Sequence, residues 1–360
     1  MTNSLSEILP EASAYTTDQI IAWLTHIRLP DAYTRYIQNP ISFPKTYDAL
    51  RILMRCQITR FPFENLSLHY SPAHSVDVAP SALYAKMMGP DRDGGTGRGG
   101  YCMELSIFFH HMLCGLGFQT YLTGVRIRPR VNGVPGGEYF GFSTHVNNIV
   151  HLPTGQKYSM DVGFGGDGPT RPLSLDSPGQ VIQNLGLQEI RLVRDTIPKQ
   201  RLIDPRFWIY QYRNGPDKDW NSFYCFTEAE FFREDFEIMS CFANSTGMHR
   251  YTVMVVRFIR EGEDVKLFQN LEVARDSEEV KIVGKVMLMD NLVKVNRGGK
   301  TSVVEVLDSE EDRVRALTEY FRISLTEDEV SSMRGWDTAL KFGDGDEEPQ
   351  KKQRPYHATA

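Results

Sequence analysis

Along the first third of the chain apolar residues return every three or four positions, the period of a helix with one buried face. Ile20, Trp23, Leu24 and Ile27 form such a stripe behind Asp18, which is expected to cap the segment Gln19–Ile27. A second helix is predicted from Lys45 to Thr59, stopping near Pro62, and a third from Pro80-Ser81-Ala82 to Gly89-Pro90. From Thr120 to about Tyr224 the pattern shortens to β-rich runs: Thr120–Arg128, His145–Val150, Lys157–Asp161, Glu189–Val193, Trp208–Tyr212 and Phe223–Phe226. Turn formers such as Pro153-Thr154-Gly155 and Asn214-Gly215-Pro216 separate them, as in an antiparallel barrel or sandwich. Beyond Thr227 come a predicted helix over Glu228–Cys241, strands at Tyr251–Ile259 and Val280–Val286, and an acidic helix near Glu310–Phe321. The last residues, including KKQR at 351–354, are polar and read as a solvated tail. The fold class is therefore α+β.

Composition changes this picture little but excludes several functions. Apolar residues at 41% and charged residues at 24% are ordinary for a soluble globular protein. Lys plus Arg number 40 against 46 Asp plus Glu, a net charge of -6, which argues against nucleic acid as a partner but not against a local basic pocket for a small anion. Cys56, Cys102, Cys114, Cys225 and Cys241 are scattered, with no CxxC pair, so neither a disulfide framework nor a zinc ribbon is expected. A reducing compartment is the simpler reading. The first residues carry Glu7 and Glu11 instead of a basic leader, and no apolar run nears the ~20 residues of a membrane span. A soluble, cytoplasmic chain with no membrane partner is expected.

Candidate chemistry starts at residues 94–103, GGTGRGGYCM. Gly95, Gly97 and Gly100 match GxGxxG formally, but MMGPDRD before them is no strand and no acidic residue follows about 20 positions on, so a dinucleotide site is excluded. The glycines are expected to turn the backbone and let a substrate approach. Leu105, Phe108, Met112 and Leu113 then mark the apolar face of a helix that begins at Cys102. A helix start, with its macrodipole and free N–H groups, favours a thiolate and so a nucleophile. Cys114, mid-helix among apolar residues, reads as core.

A cysteine nucleophile needs a base, and the base needs a group that fixes its tautomer. Nothing around His26, His69 or His74 points to catalysis, and His249 and His357 stand in polar loop or tail contexts. His110 and His111 share the helix of Cys102 but lie about 12 Å along its axis. His145 opens a β-run after a long glycine-containing loop, at a strand edge facing a cleft. Asp161 ends the next short strand, and pairing of the two through the Pro153–Gly155 turn sets its carboxylate beside the imidazole. Cys102, His145 and Asp161 are the catalytic candidates. No metal is expected, because Cys102, His110 and His145 match no usual zinc spacing.

The same residues carry a resemblance. RGGYCME (Arg98–Glu104), FPFENLSL (Phe61–Leu68), STHVNNIV (Ser143–Val150) and MDVGFG (Met160–Gly165) resemble segments of the arylamine N-acetyltransferases, and FREDFEIMSCFANST (Phe232–Thr246) resembles the segment before that family's third domain. The resemblance spans roughly residues 15–340. It implies a helical bundle over 1–118, a β-barrel over 119–226, an interdomain segment over 227–258, an α/β lid over 259–342 and a tail over 343–360, around a cysteine-protease-like core. It further implies ping-pong transfer through a Cys102 thioester, with His145 as base and Asp161 as its orienter. The donor is acetyl-coenzyme A or malonyl-coenzyme A, held only as co-substrate, and the acceptor an aromatic amine, hydrazine or hydroxylamine, as in xenobiotic detoxification. By position, Ile127 and Phe164 line the acceptor pocket, while Phe242, Met248 and Tyr251 approach coenzyme A. Arg98 and Glu64 read as structural ties around the site. Arg126, Arg128 and Arg130 alternate and would share one strand face, either solvated or turned to phosphates or a carboxylated acyl group. A cysteine hydrolase or transglutaminase-like enzyme uses the same three groups, and a non-catalytic ligand-binding relative is the remaining alternative.

Overall fold

The computed structural model describes residues 9–89, 97–131, 133–246, 248–266 and 279–342. Both GlyGly94-95 and the tail at 343–360 fall outside the described residues. Thr16 caps α1 (Thr17–His26): its side chain accepts from the Gln19 amide, and the Gln19 side chain returns to the Thr16 backbone. This reciprocal pair starts the helix two residues before the expected Asp18. After the single turn α2 (Asp31–Thr34) comes α3 (Tyr47–Arg60), capped by Thr46 and ended before Pro62. A two-residue strand β1 (Phe63–Glu64) leads to α4 (Pro80–Met88) and α5 (Cys102–Gly115). The α5 stripe of Leu105, Phe108, Met112 and Leu113 is buried in one core with Trp23, Leu24 and Leu53. Each such side chain contributes about 1.5–3 kcal/mol through burial, before conformational entropy is set against it.

The middle of the chain forms one antiparallel sheet. Its strands are β2 (Gln119–Ile127), β5 (His145–His151), β6 (Lys157–Met160), β7 (Leu173–Ser174), β8 (Ile182–Gln183), β9 (Glu189–Asp195), β10 (Phe207–Arg213) and β11 (Asn221–Glu230), in the order β7-β6-β5-β2-β11-β10-β9-β8. A small hairpin, β3 (Arg130–Val131) with β4 (Val134–Pro135), stands apart from it. The sheet curls into a half-barrel and not the closed barrel expected. Both edges are two-residue strands, too short for a ladder that would zip the curl shut. On β5 the pleat separates two faces. Val146 and Val150 pack with α5, whereas Ile149 faces the inside of the curl with Val125, Tyr210 and Tyr224.

The helix expected from Glu228 begins later, as α6 (Arg233–Thr246), because β11 runs on to Glu230. Glu230 pairs with Thr123 after a bulge, so contacts to β2 override the local helical preference of Thr227–Glu230. The one-turn α7 (Met248–Tyr251) precedes a second sheet. There β12 (Met254–Arg260), β13 (Ile282–Met289), β14 (Leu292–Asn296) and β15 (Thr301–Val306) pair antiparallel in order, with β1 added on the far side of β12. Its core joins Val255, Leu288 and Val293 to Leu317 and Phe321 of α8 (Glu310–Phe321). The short α9 (Glu327–Ser331) follows. Among the described residues no helix is long and apolar enough to cross a membrane.

Where α5 begins, these parts are tied by buried charge. Glu64, fully buried, accepts from Arg98 Nε at 3.0 Å and from the Leu66 amide at 2.6 Å, and meets Lys86 Nζ at 3.1 Å. Lys86 also reaches Glu104 at 2.7 Å, whose other oxygen accepts from the Tyr101 amide at 3.0 Å. Arg98 continues to Ser67 and to Glu329 of α9. Gly99 passes so close to Pro62 that an added Cβ would stand 1.8 Å from its carbonyl oxygen. Gly97 and Gly100 are packed closely too, against the Arg322 carbonyl oxygen and the Glu104 side chain. Burial opposes the charge on Glu64, but Arg98 and Lys86 outweigh it and hold the carboxyl below its usual range. Glu64→Ala, which leaves Arg98 buried against a lost partner, is expected to cost about 3–5 kcal/mol in urea denaturation; a loss under about 1 kcal/mol would contradict the role given to this network.

Candidate active site

Cys102 is the first residue of α5, with Tyr101 as its N-cap. The helix start reaches past the beginning of β5, where the buried thiol points at the Thr144 carbonyl, 3.8 Å away. His145 pairs with Val125 across β2 and β5. Asn148 pairs with Met160 across β5 and β6, so one further step sets Asp161 on the face shared by Asn147 and His145. The outcome is a hydrogen bond of 2.7 Å between His145 Nε2 and Asp161 Oδ2, both side chains being buried. Asp161 Oδ1 accepts from the Gly163 amide at 3.0 Å, fixing the carboxylate from its other side. Gly163 lies against the nucleophile candidate, since a Cβ there would sit 2.8 Å from Cys102 Cα. With Nε2 engaged by Asp161, the other ring nitrogen is left for the thiol.

Electrostatics follow from this arrangement. Burial disfavours a charged His145, but the Asp161 carboxylate and the Cys102 sulfur more than offset it and raise the imidazole from its ordinary 6.5 to about 10. The other enclosed thiols move the opposite way to what reactivity needs: burial pushes Cys56 up to about 11, and Cys114 and Cys225 up to about 12. Cys241 is exposed, and all five cysteines are free.

Phe164 stands edge-on to the His145 ring at 5.1 Å and to Tyr224 at 4.9 Å, half-buried beside the candidate base. Ile127 is the cross-strand partner of Tyr224, so its side chain shares that face. Phe242, 41% exposed on α6, meets Phe142 of the loop leading into His145 at 4.9 Å. Met248 and Tyr251 are the two ends of α7, half-buried, with the Arg250 guanidinium 5.4 Å from the Tyr251 ring.

The residue that sequence reading passed over is His249, between them. Its ring lies 5.3 Å from Tyr101 and 5.9 Å from Phe63, and its carbonyl accepts from Asn65 at 2.9 Å. Burial, and then the charge of His145, lower its imidazole to about 4, so it stays neutral. No spacing rule marks it: it is drawn in by packing of β1 and α5 on α7. The arginine trio is corrected too. Arg126 donates to the Phe140 carbonyl, Arg128 to Gly137 and Asn221, and Arg130 to Gly133 and Asp167. Because β2 ends at Ile127, the three do not continue one strand face: Arg126 and Arg128 reach the following loop, Arg128 also β11, and Arg130 the segment after β6.

Comparison with known proteins gives the family and the fold. The family model described as N-acetyltransferase matches residues 46–330. Over 349 residues the chain is 28% identical to the N-malonyltransferase FDB2 of Gibberella moniliformis, covering 90% of this chain and 94% of that one. It is 30% identical over 198 residues to the arylamine N-acetyltransferase / N-hydroxyarylamine O-acetyltransferase of Salmonella typhimurium, covering 54% and 59%. The solved arylamine N-acetyltransferase of Salmonella typhimurium superposes with a TM-score of 0.66 at 21% identity, over 89% of this chain and 98% of its own. That of Mycobacterium marinum in complex with CoA gives 0.65 at 22% identity, over 89% and 100%. At these identities the two structures establish a shared fold.

Two measurements test the geometry. His145→Gln is expected to slow iodoacetamide labelling of Cys102 at neutral pH by at least about tenfold while leaving exposed Cys241 unchanged; equal slowing at both, or at neither, would contradict activation by His145. His145 sits above its ordinary value in the folded protein, so the stabilisation it brings is complete below 6.5 and lost as pH rises through about 10. Urea denaturation should accordingly find wild type and His145→Gln closer in stability at pH 10 than at pH 6.

Proposed function

The chain belongs to the N-acetyltransferase family and is an acyltransferase acting on amines, and we propose that it works by ping-pong transfer through a thioester on Cys102. The carrying observation is the 2.7 Å contact between His145 and Asp161 with the Cys102 thiol beside them. His145 takes the thiol proton and Asp161 stabilises the resulting imidazolium. The sulfur attacks the thioester carbonyl of an acyl-coenzyme A. Free N–H groups in the first turn of α5 face the developing oxyanion, since that turn has no intrahelical acceptors for them. Coenzyme A leaves as its thiol, carrying the proton from His145, and the acyl group stays on Cys102. An amine then attacks, His145 accepts its proton, and the Cys102 sulfur departs as the amide forms.

Ile127 and Phe164 are assigned to the acceptor side, where an aromatic ring can lie edge-on to Phe164 beside the base. Phe242, Met248 and Tyr251 are assigned to the coenzyme A side, with Phe242 meeting Phe142 at the loop before His145. For the donor, the likeness to a fungal N-malonyltransferase over 90% of the chain supports malonyl-coenzyme A, and the arylamine N-acetyltransferases support acetyl-coenzyme A. Aromatic amines are the acceptor class for either donor.

Intact mass spectrometry tests both the intermediate and the donor. Protein incubated with one thioester and no amine is expected to gain one acyl group, absent from Cys102→Ala and discharged when an arylamine is added. Rapid loss of the adduct to water alone would favour a hydrolase. Asp161→Asn is expected to lower the transfer rate by about 10²–10⁴-fold, the scale of a misoriented base.

A further inference from the structure

Two turns and more beyond Cys102, α5 presents a second set of reactive side chains. His110, His111 and Cys114 each bring one donor atom within 4.8 Å of the others. Cys114 Sγ is 3.6 Å from His110 Nε2, and the same nitrogen lies 2.9 Å from Glu11 Oε2 in the segment before α1. The order His-His-x-x-Cys explains the gathering. Positions four apart and three apart on a helix are neighbours, so Cys114 lies one turn from both imidazoles. A tetrahedral zinc site with Zn–N near 2.0–2.1 Å and Zn–S near 2.3 Å has an N···S edge of about 3.6 Å and an N···O edge of about 3.3 Å. The sulfur already stands at that separation, and the carboxylate needs to withdraw by only a few tenths of an ångström.

Beside the cluster lies a cavity of about 380 Å³ with Glu11, His110 and His111 on its wall, which supplies an entry path. The sequence reading treated Cys114 as plain core and weighed zinc only at Cys102, His110 and His145. In the structure Cys114 is half-buried and belongs with the other two histidines.

We propose that His110, His111 and Cys114, with Glu11 as fourth ligand, bind a divalent cation of the zinc type and clip the N-terminal segment onto α5. On binding, the Cys114 thiol gives up its proton to solvent and the imidazoles coordinate as neutral rings. The site is separate from the acyl-transfer centre, because His110 is eight residues from Cys102, about 12 Å along the helix axis.

Cobalt(II) is the probe, since tetrahedral coordination gives strong visible bands and a bound thiolate adds a near-ultraviolet charge-transfer band. Full-length protein titrated with cobalt is expected to show both at one equivalent, and zinc to abolish them. Cys114→Ser should lose the near-ultraviolet band, and His111→Gln should weaken cobalt binding at least tenfold, a loss that even outer partners of metal ligands can cause. Cys102→Ala and Cys241→Ser should leave the spectrum unchanged. Arylamine transfer by Cys114→Ser reports that it is folded; if it is inactive, the visible-band titrations of His111→Gln and Glu11→Gln decide instead. Absence of tetrahedral bands at one equivalent, or a charge-transfer band that follows Cys102 or Cys241, overturns the proposal.

Discussion

Lys86 is shared by two buried carboxylates, Glu64 and Glu104, and that sharing fixes where α5 begins. Buried charges of this kind are tolerated only when each is paired and each remaining oxygen is hydrogen-bonded. Here the Leu66 and Tyr101 amides and the Arg98 guanidinium complete the set. The backbone around Cys102 is therefore held by groups that cannot relax toward water. Glu104 shows the strain of the arrangement: burial raises its carboxyl, opposed by Lys86.

Upon that fixed helix start the rest of the site is assembled from parts distant in sequence. The half-barrel supplies His145 from the beginning of β5 and Asp161 from the end of β6, while Gly163 admits the Cys102 backbone at close range. Two imidazoles in one neighbourhood take opposite states. His145 is raised because a carboxylate and a sulfur outweigh burial; His249, with burial and a cationic neighbour acting together, is lowered. Neither value belongs to histidine as a residue type. Both are set by what stands within a few ångströms.

Much of this was legible in the chain because it rests on local periodicity. The acidic helix expected near Glu310–Phe321 coincides with α8, and the β-runs of the middle region coincide with β2, β5, β6, β9, β10 and β11 to within a few residues. Cys102 at a helix start, His145 at the start of a strand and Asp161 just past the end of its neighbour were legible for the same reason: a helix stripe, two alternating runs and one turn define them. Long-range pairing was not. The ladder that keeps Thr227–Glu230 in a strand, the two-residue edges that leave the barrel half closed, and the packing that brings His249 to Tyr101 all depend on partners far along the chain. The arginine trio was misread on one boundary, since alternation has meaning only while the strand lasts, and β2 stops at Ile127. The His110–His111–Cys114 grouping shows the reverse case, in which helical spacing was visible but apolar neighbours drew attention to packing.

Strand β1 consists of two residues, yet it hydrogen-bonds on one side to β12 and on the other to Gly100. Phe63 and Glu64 thus stitch the C-terminal sheet to the residue two places before Cys102. Local melting of β12 would release that stitch and slacken the nucleophile's own backbone, although no side chain of β13, β14 or β15 belongs to the three candidate groups. Amide exchange at Tyr101 and Cys102 is thereby bound to the opening of a sheet whose strand β12 begins about 150 residues later, at Met254, and the folding unit that matters for the thiol is larger than the site that contains it.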